Sequence, residues 1–175
     1  MKRTLIVVDM QKDFIDGALG TREAQLILPN VKKKIAEYQA GGGEIIFTRD
    51  THQSGCLETN EGRHLPVVHC IEGTEGWKIW EGLEVPGALY VDKPTFGYID
   101  WAKYQLEDVE LIGVCTDICV VSNALILKAI YPEIRIKVDA DCCAGVTPES
   151  HRAALQTMKM CQIEVLEGEQ VNAKK

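Results

Sequence analysis

The stretch Val109-Glu-Leu-Ile-Gly-Val114-Cys115-Thr-Asp-Ile118-Cys119-Val-Val-Ser-Asn-Ala-Leu-Ile-Leu-Lys-Ala-Ile130 decides the fold. Its first six residues form a short apolar run of the kind that makes a buried strand. From Ile118 the apolar residues recur at helical spacing. A strand that turns directly into a helix is half of a βα unit, and the pattern repeats along the chain. Thr4 to Val8, Glu44 to Thr48, Ala88 to Val91, Ile134 to Val138 and Gln162 to Val165 read as five more strands. Ala24 to Ala40, Tyr98 to Gln105 and Pro148 to Met160 read as further helices, with Gly41-Gly42-Gly43 a stop for the first. The repeat predicts an α/β fold of three layers, α/β/α, around a six-stranded, mostly parallel, doubly wound sheet.

Composition narrows the class. The 175 residues, 46% of them hydrophobic, are enough for one substantial core, so residues 1–175 are expected to form a single domain. A formal net charge of -7, with lysines and arginines scattered among acidic residues, argues against a nucleic-acid surface. The one basic cluster, Lys32-Lys33-Lys34, falls on a helical pattern and reads as a solvated face. The apolar run before Asp9 is too short for a signal peptide or a membrane span. Seven cysteines, with no paired C-x-x-C arrangement, read as reduced thiols. The expectation is a cytoplasmic protein with no membrane partner, no zinc ribbon and no thioredoxin motif. Val171 to Lys175 reads as a frayed tail.

In an open α/β sheet the ligand site lies beyond the carboxyl ends of the strands. Inspecting those ends collects Asp9, Asp50, Lys93, Thr116, Asp117, Cys119 and Asp139. A carboxylate at Asp9, beside aliphatic neighbours, is costly unless paired or used. Lys93 brings an ammonium to the same edge, where it would hold a thiolate and stabilise developing negative charge. Cys119, at the start of a helix, is expected to feel the positive end of the dipole, which lowers a thiol's pKa and offers N–H groups to an oxyanion. Cys115, inside the strand, and Cys161 look more like ordinary packed thiols. Asp50-Thr51-His52 could point two side chains at one divalent metal, with Glu61, His64 and His69 in the following loop as further ligand candidates. The unpatterned stretch from Thr51 to Pro86 is long for a connection and marks a binding loop.

Together these pieces resemble the cysteine-hydrolase superfamily that contains nicotinamidases, isochorismatases and carbamoylsarcosine amidases. The matching motifs are Val-Val-Asp9-Met-Gln-x-Asp-Phe14, Thr48-Arg-Asp50-Thr-His52, Lys93-Pro-Thr-Phe-Gly97, Gly113-Val-Cys-Thr-Asp-Ile-Cys119-Val and Asp139-Ala-Asp-Cys-Cys-Ala144. Their order and placement, covering nearly the whole chain, are specific in a way no single motif is. The resemblance implies Asp9 as general base, Lys93 as its cationic partner and Cys119 as nucleophile. It also implies a cis peptide at Val114-Cys115 and an oxyanion hole from the Cys115 and Cys119 N–H groups. Within the nicotinamidase branch it implies a divalent metal, zinc first with iron or manganese as alternatives, on Asp50, His52, Glu61 and His69, with His64 the substitute for Glu61. There the metal binds a pyridine nitrogen and orients the ring. The branch often carries an aromatic residue shortly before the distal histidine. Here Leu65-Pro66-Val67-Val68 stands instead, which passes ring contact to Phe14 or to Trp77 and Trp80.

The implied reaction is hydrolysis of a small carboxamide through a thioester, nicotinamide to nicotinate plus ammonia first, with pyrazinamide-type analogues. Homo-oligomers are common in the superfamily. An isochorismatase proper is disfavoured, since those enzymes lack the nucleophilic cysteine. The nearest alternative is an amide or ureide hydrolase on the same triad without metal. More distant is a non-catalytic flavodoxin-like binding module, although no Gly-rich phosphate loop follows the first strand.

Overall fold

The computed structural model describes residues 2–168, so the expectation for the tail Val171 to Lys175 lies outside the described residues. Six strands form one sheet: β1 (Arg3–Val8), β2 (Glu44–Asp50), β3 (Leu89–Lys93), β4 (Asp108–Val114), β5 (Arg135–Ala144) and β6 (Glu164–Leu166). Their order is β3-β2-β1-β4-β5-β6, and every pairing is parallel. Around them lie α1 (Lys12–Ile15), α2 (Arg22–Leu26), α3 (Leu28–Ala40), α4 (Asn60–His64), α5 (Val121–Ile130) and α6 (Pro148–Met160).

Side-chain alternation along β1 builds both faces of the core. Leu5 and Val7 join Ile45, Phe47 and Ile112 under Val31, Ile35 and Tyr38 of α3. Ile6 and Val8 join Ile46, Val91 and Leu111 under Ala124 and Leu127 of α5 and Leu155 and Met158 of α6. Strands buried on both faces read as continuous apolar runs, which is why β1 and β4 were plain in the sequence. Among the described residues no helix is long and apolar enough to cross a membrane.

Sheet order reverses between β1 and β4, and there the connections leave in opposite directions to open a crevice at the carboxyl edge. The two strands approach closely: a Cβ on Gly113, at φ +118°, would lie 2.1 Å from the Val8 carbonyl oxygen, so only glycine fits. Asp9 follows β1 and Cys115 follows β4, which places both at this crevice.

The elements differ from expectation where local chemistry interrupts periodicity. The helix expected over Ala24 to Ala40 is broken into α2 and α3, because Pro29 in the first turn of α3 has no N–H to continue α2. Over Tyr98 to Gln105 only the tight turn Trp101–Lys103 forms. There Asn123 Oδ1 accepts from the Tyr98 backbone and the Trp101 indole, and the one Tyr131 hydroxyl proton lies between the Trp101 and Tyr104 carbonyls, so side chains of α5 and its C-terminal end hold the segment as a turn. β5 runs six residues beyond Val138 by bulging: its register on β4 jumps from Leu111↔Val138 to Gly113↔Cys143. Asp139 and Asp141 sit in that bulge and disguise the strand.

Candidate active site

β1, β2, β3 and β4 deliver the chemistry to one place. Asp9 and Lys93 are both fully buried, and the Lys93 ammonium lies 2.6 Å from Asp9 Oδ2 and 3.6 Å from Cys119 Sγ. Parallel pairing fixes this meeting, since Lys93 ends β3 directly beside Asp50 of β2 while the Asp9 N–H donates to the Thr48 carbonyl. Thr48 Oγ1 donates to Asp9 Oδ1 at 2.6 Å. Among the described residues, the Lys93 ammonium is the partner that meets Asp9 Oδ2. Burial raises the Asp9 pKa, which Lys93 opposes and Asp50 reinforces, making the carboxylate a stronger base than a solvated one. Burial alone would lower the Lys93 pKa, but Asp9, Cys119 and Asp50 reverse that and keep the ammonium charged.

Cys119 lies in a single wide turn, Thr116–Val120, that leads into α5, and the Val114–Cys115 peptide before it is cis. The expected lowering of the Cys119 pKa is overturned. Burial, followed by Asp9, pushes the thiol well above its ordinary value, and Lys93 only partly opposes this. The resting group is therefore a thiol beside a base. The Cys115 thiol also faces the cavity, and burial pushes it up to about 12.

Next to this trio stand Asp50, His52, Glu61 and His69, one ligand atom from each lying within 4.8 Å of all the others. Asp50 Oδ2 is 2.9 Å from His52 Nε2 and 3.5 Å from His69 Nε2, while Glu61 Oε1 is 3.7 and 4.0 Å from the same two nitrogens. His69 Nδ1 meets the Val67 carbonyl at 2.8 Å. A carbonyl only accepts, so Nδ1 carries a proton and Nε2 is the ring atom that faces the cluster. Glu61 reaches it because α4, capped by Thr59 Oγ1 accepting from the Gly62 N–H, packs so tightly that a Cβ on Gly62 would lie 2.1 Å from the Cys56 carbonyl oxygen. His64 lines the cavity, but its Nδ1 is engaged by the Asn60 carbonyl and it is not one of the four. The hydrogen bond that His52 donates to Asp50 when protonated raises the His52 pKa against burial. Burial is the largest influence on His69, yet Asp50 and the Val67 carbonyl outweigh it and raise that pKa too. Two imidazoles and two carboxylates around one point, with the Lys93 ammonium 3.8 Å from Asp50 Oδ1 as a neighbouring positive charge, form a donor set that fits a divalent ion.

The trio and the quartet open on one cavity of about 1060 Å3, with Phe14, Leu65, Phe96 and Ile118 among its apolar walls. Phe14 stands 5.8 Å, ring centre to ring centre, from His69. Trp77, expected to contact substrate, does not line it. The Arg49 guanidinium covers the Trp77 ring at 3.8 Å and its indole N–H donates to Thr51 Oγ1, so the ring is engaged on the outside of β2. Trp80 packs against the α3-side core. Two other collected strand-end residues serve the scaffold. Asp139 pairs with Lys34, and Asp117 accepts the Val146 N–H. Sequence reasoning missed the roles of Gln11 and Asp13, although both stand in the quoted motif after β1, and of Thr48 and His151.

Comparison with known proteins agrees with this geometry. The family described as isochorismatase domain matches residues 3–170. An isochorismatase family protein of Bacillus subtilis (strain 168), PncA, is 29% identical over 173 residues, covering 89% of this chain and 93% of its own. The nicotinamidase/pyrazinamidase of Mycobacterium tuberculosis is 24% identical over 191 residues, covering 94% and 98%. Among solved structures, the pyrazinamidase of Pyrococcus horikoshii in complex with zinc superposes with a TM-score of 0.83 at 27% identity, covering 95% of this chain and 99% of that one.

Proposed function

Since this chain belongs to the isochorismatase family of hydrolases, we propose that it cleaves a small heteroaromatic carboxamide, nicotinamide first among them, to the acid and ammonia through a Cys119 thioester. The observation that carries the reading is the meeting of Asp9, Lys93 and Cys119 with four convergent metal-type ligands in one cavity. Names given to the relatives, nicotinamidase and pyrazinamidase, support the substrate class.

Asp9 Oδ2 takes the Cys119 proton as the sulfur attacks the carboxamide carbon, while Lys93 stays charged and steadies both anions. Backbone N–H groups of Cys115 and Cys119 donate to the oxyanion. On collapse the carbon–nitrogen bond breaks, Asp9 returns its proton to the leaving nitrogen, and ammonia departs from a thioester. Asp9 next deprotonates a water that attacks the thioester, the acid leaves, and the proton passes back to the Cys119 sulfur. When bound by Asp50, His52, Glu61 and His69, a divalent ion such as zinc, iron or manganese would supply a Lewis acid that fixes a pyridine-type ring nitrogen. Phe14 contributes an apolar face for the ring.

The test is ammonia release from nicotinamide by the purified protein, before and after chelation and after metal is restored. Release that chelation stops and metal restores, and that Cys119→Ala abolishes, is the expected result. A Cys119→Ala protein with full activity would overturn the nucleophile. No release by metal-loaded protein would overturn nicotinamide as substrate.

A further inference from the structure

The motif after β1 holds two polar residues that the mechanism leaves unused. Gln11 is fully buried, and its amide pairs with the Asp50 backbone on both sides: Oε1 accepts from the Asp50 N–H at 2.7 Å, and Nε2 donates to the Asp50 carbonyl at 2.9 Å. The second Nε2 proton goes to the Trp77 carbonyl at 2.9 Å. Two residues on, Asp13 Oδ2 accepts the Cys70 N–H at 2.8 Å. Cys70 follows His69 directly and sits at φ +47°, a left-handed conformation that residues other than glycine rarely adopt. A second bond, His52 N–H to the Cys70 carbonyl at 2.9 Å, holds the other side of that turn. One short segment therefore grips the backbone at Asp50 with one side chain and beside His69 with another.

We propose that Gln11 and Asp13 are positioning residues that preorganise the ligands Asp50 and His69 for a divalent metal. The inference rests on the metal reading above. A purely structural role would need only that the loop be held somewhere. Here both grips fall at a ligand or its neighbour, on two segments distant in sequence, and one of them maintains a strained turn that aims an imidazole. Outer partners of this kind govern metal affinity because a ligand free to wander must be ordered again when the ion arrives.

The experiment measures zinc dissociation constants, by competition with a chromophoric chelator, for the parent, Gln11→Met, Asp13→Ala, Asp13→Asn and Tyr38→Phe, alongside their thermal unfolding. Gln11→Met keeps the volume of the side chain and removes its three bonds. Both Gln11→Met and Asp13→Ala are expected to bind zinc roughly 10–100-fold more weakly. Asp13→Asn, which keeps one acceptor for Cys70, is expected to fall between Asp13→Ala and the parent. Tyr38→Phe loses a buried hydrogen bond to Glu110 under α3, and is expected to lower stability while leaving zinc affinity unchanged. Folded Gln11→Met and Asp13→Ala proteins that bind zinc as tightly as the parent would overturn the inference alone. A parent that binds no zinc would overturn the metal reading and the inference together. If Gln11→Met does not fold, the ranking of the two Asp13 variants decides.

Discussion

Lys93 and Asp9 form a fully buried ion pair at 2.6 Å in which the ammonium also reaches the Cys119 sulfur. Removing two charges from water costs several kcal/mol each, and only their close contact and added hydrogen bonds offset it. A pair so placed is poor value as a stabiliser and useful as a catalyst. It holds an ammonium against a carboxylate that burial has made more basic, next to a thiol whose own proton burial has made hard to lose.

Breaking that pair from one side leaves a buried carboxylate with no counter-charge. Lys93→Met is therefore expected to cost about 3–5 kcal/mol of stability. The double variant Asp9→Asn with Lys93→Met should recover much of it while remaining inactive. Urea unfolding of the three proteins checks this, and a double variant no more stable than Lys93→Met would contradict it.

Metal that binds only the folded state stabilises by mass action, about 2.7 kcal/mol at a free concentration 100 times Kd. Chelation should lower the melting temperature and zinc should restore it. His69→Ala, which removes one of four ligands, should abolish most of the shift. A melting temperature indifferent to zinc in the parent would count against the site.

The scaffold was legible in the sequence because its central strands β1 and β4 are buried almost throughout, and six apolar runs at parallel-sheet spacing left little choice of architecture. Asp9, Asp50, Lys93 and Cys119 were legible because strand ends in such a sheet share one edge. Trp77 was misplaced because an aromatic in a long loop looks alike whether it faces a ligand or covers an arginine, and only the Arg49 and Thr51 contacts decide. The thiol's pKa was misjudged because helix position is local information, whereas burial and the Asp9 charge come from how several separate segments pack around the sulfur. Gln11 went unread since its partners, Asp50 and Trp77, are backbone groups that carry no residue signature.

The two aromatic candidates separate in kinetics. Phe14 lines the cavity, and an aromatic contact is worth about 0.5–1.5 kcal/mol, so Phe14→Ala should raise KM up to roughly tenfold. Trp77→Phe keeps a ring over Arg49, loses the indole bond to Thr51, and should leave KM near that of the parent. A larger KM effect from Trp77→Phe than from Phe14→Ala would place the substrate elsewhere.

His151 of α6 carries a pH dependence that belongs to the scaffold around the catalytic turn. Its Nδ1 lies 2.8 Å from Oγ1 of the fully buried Thr116, next to Cys115. Burial lowers its pKa, with Asp117 pulling the other way and Arg152 adding to the lowering. The unfolded chain therefore binds this proton more readily than the folded one, so the folded state gains stability as pH rises. That contribution is complete above the ordinary histidine value of about 6.5 and is lost as pH falls through the lower folded value. His52 and His69 have raised values and act in the opposite sense, so the parent's total slope does not isolate His151. The difference between parent and His151→Asn does, because Asn offers Thr116 a partner and does not titrate. Metal-free unfolding across mildly acidic pH should show the parent losing its advantage over His151→Asn on acidification. A gap between the two that stays constant with pH would show that His151 does not change its proton binding on folding.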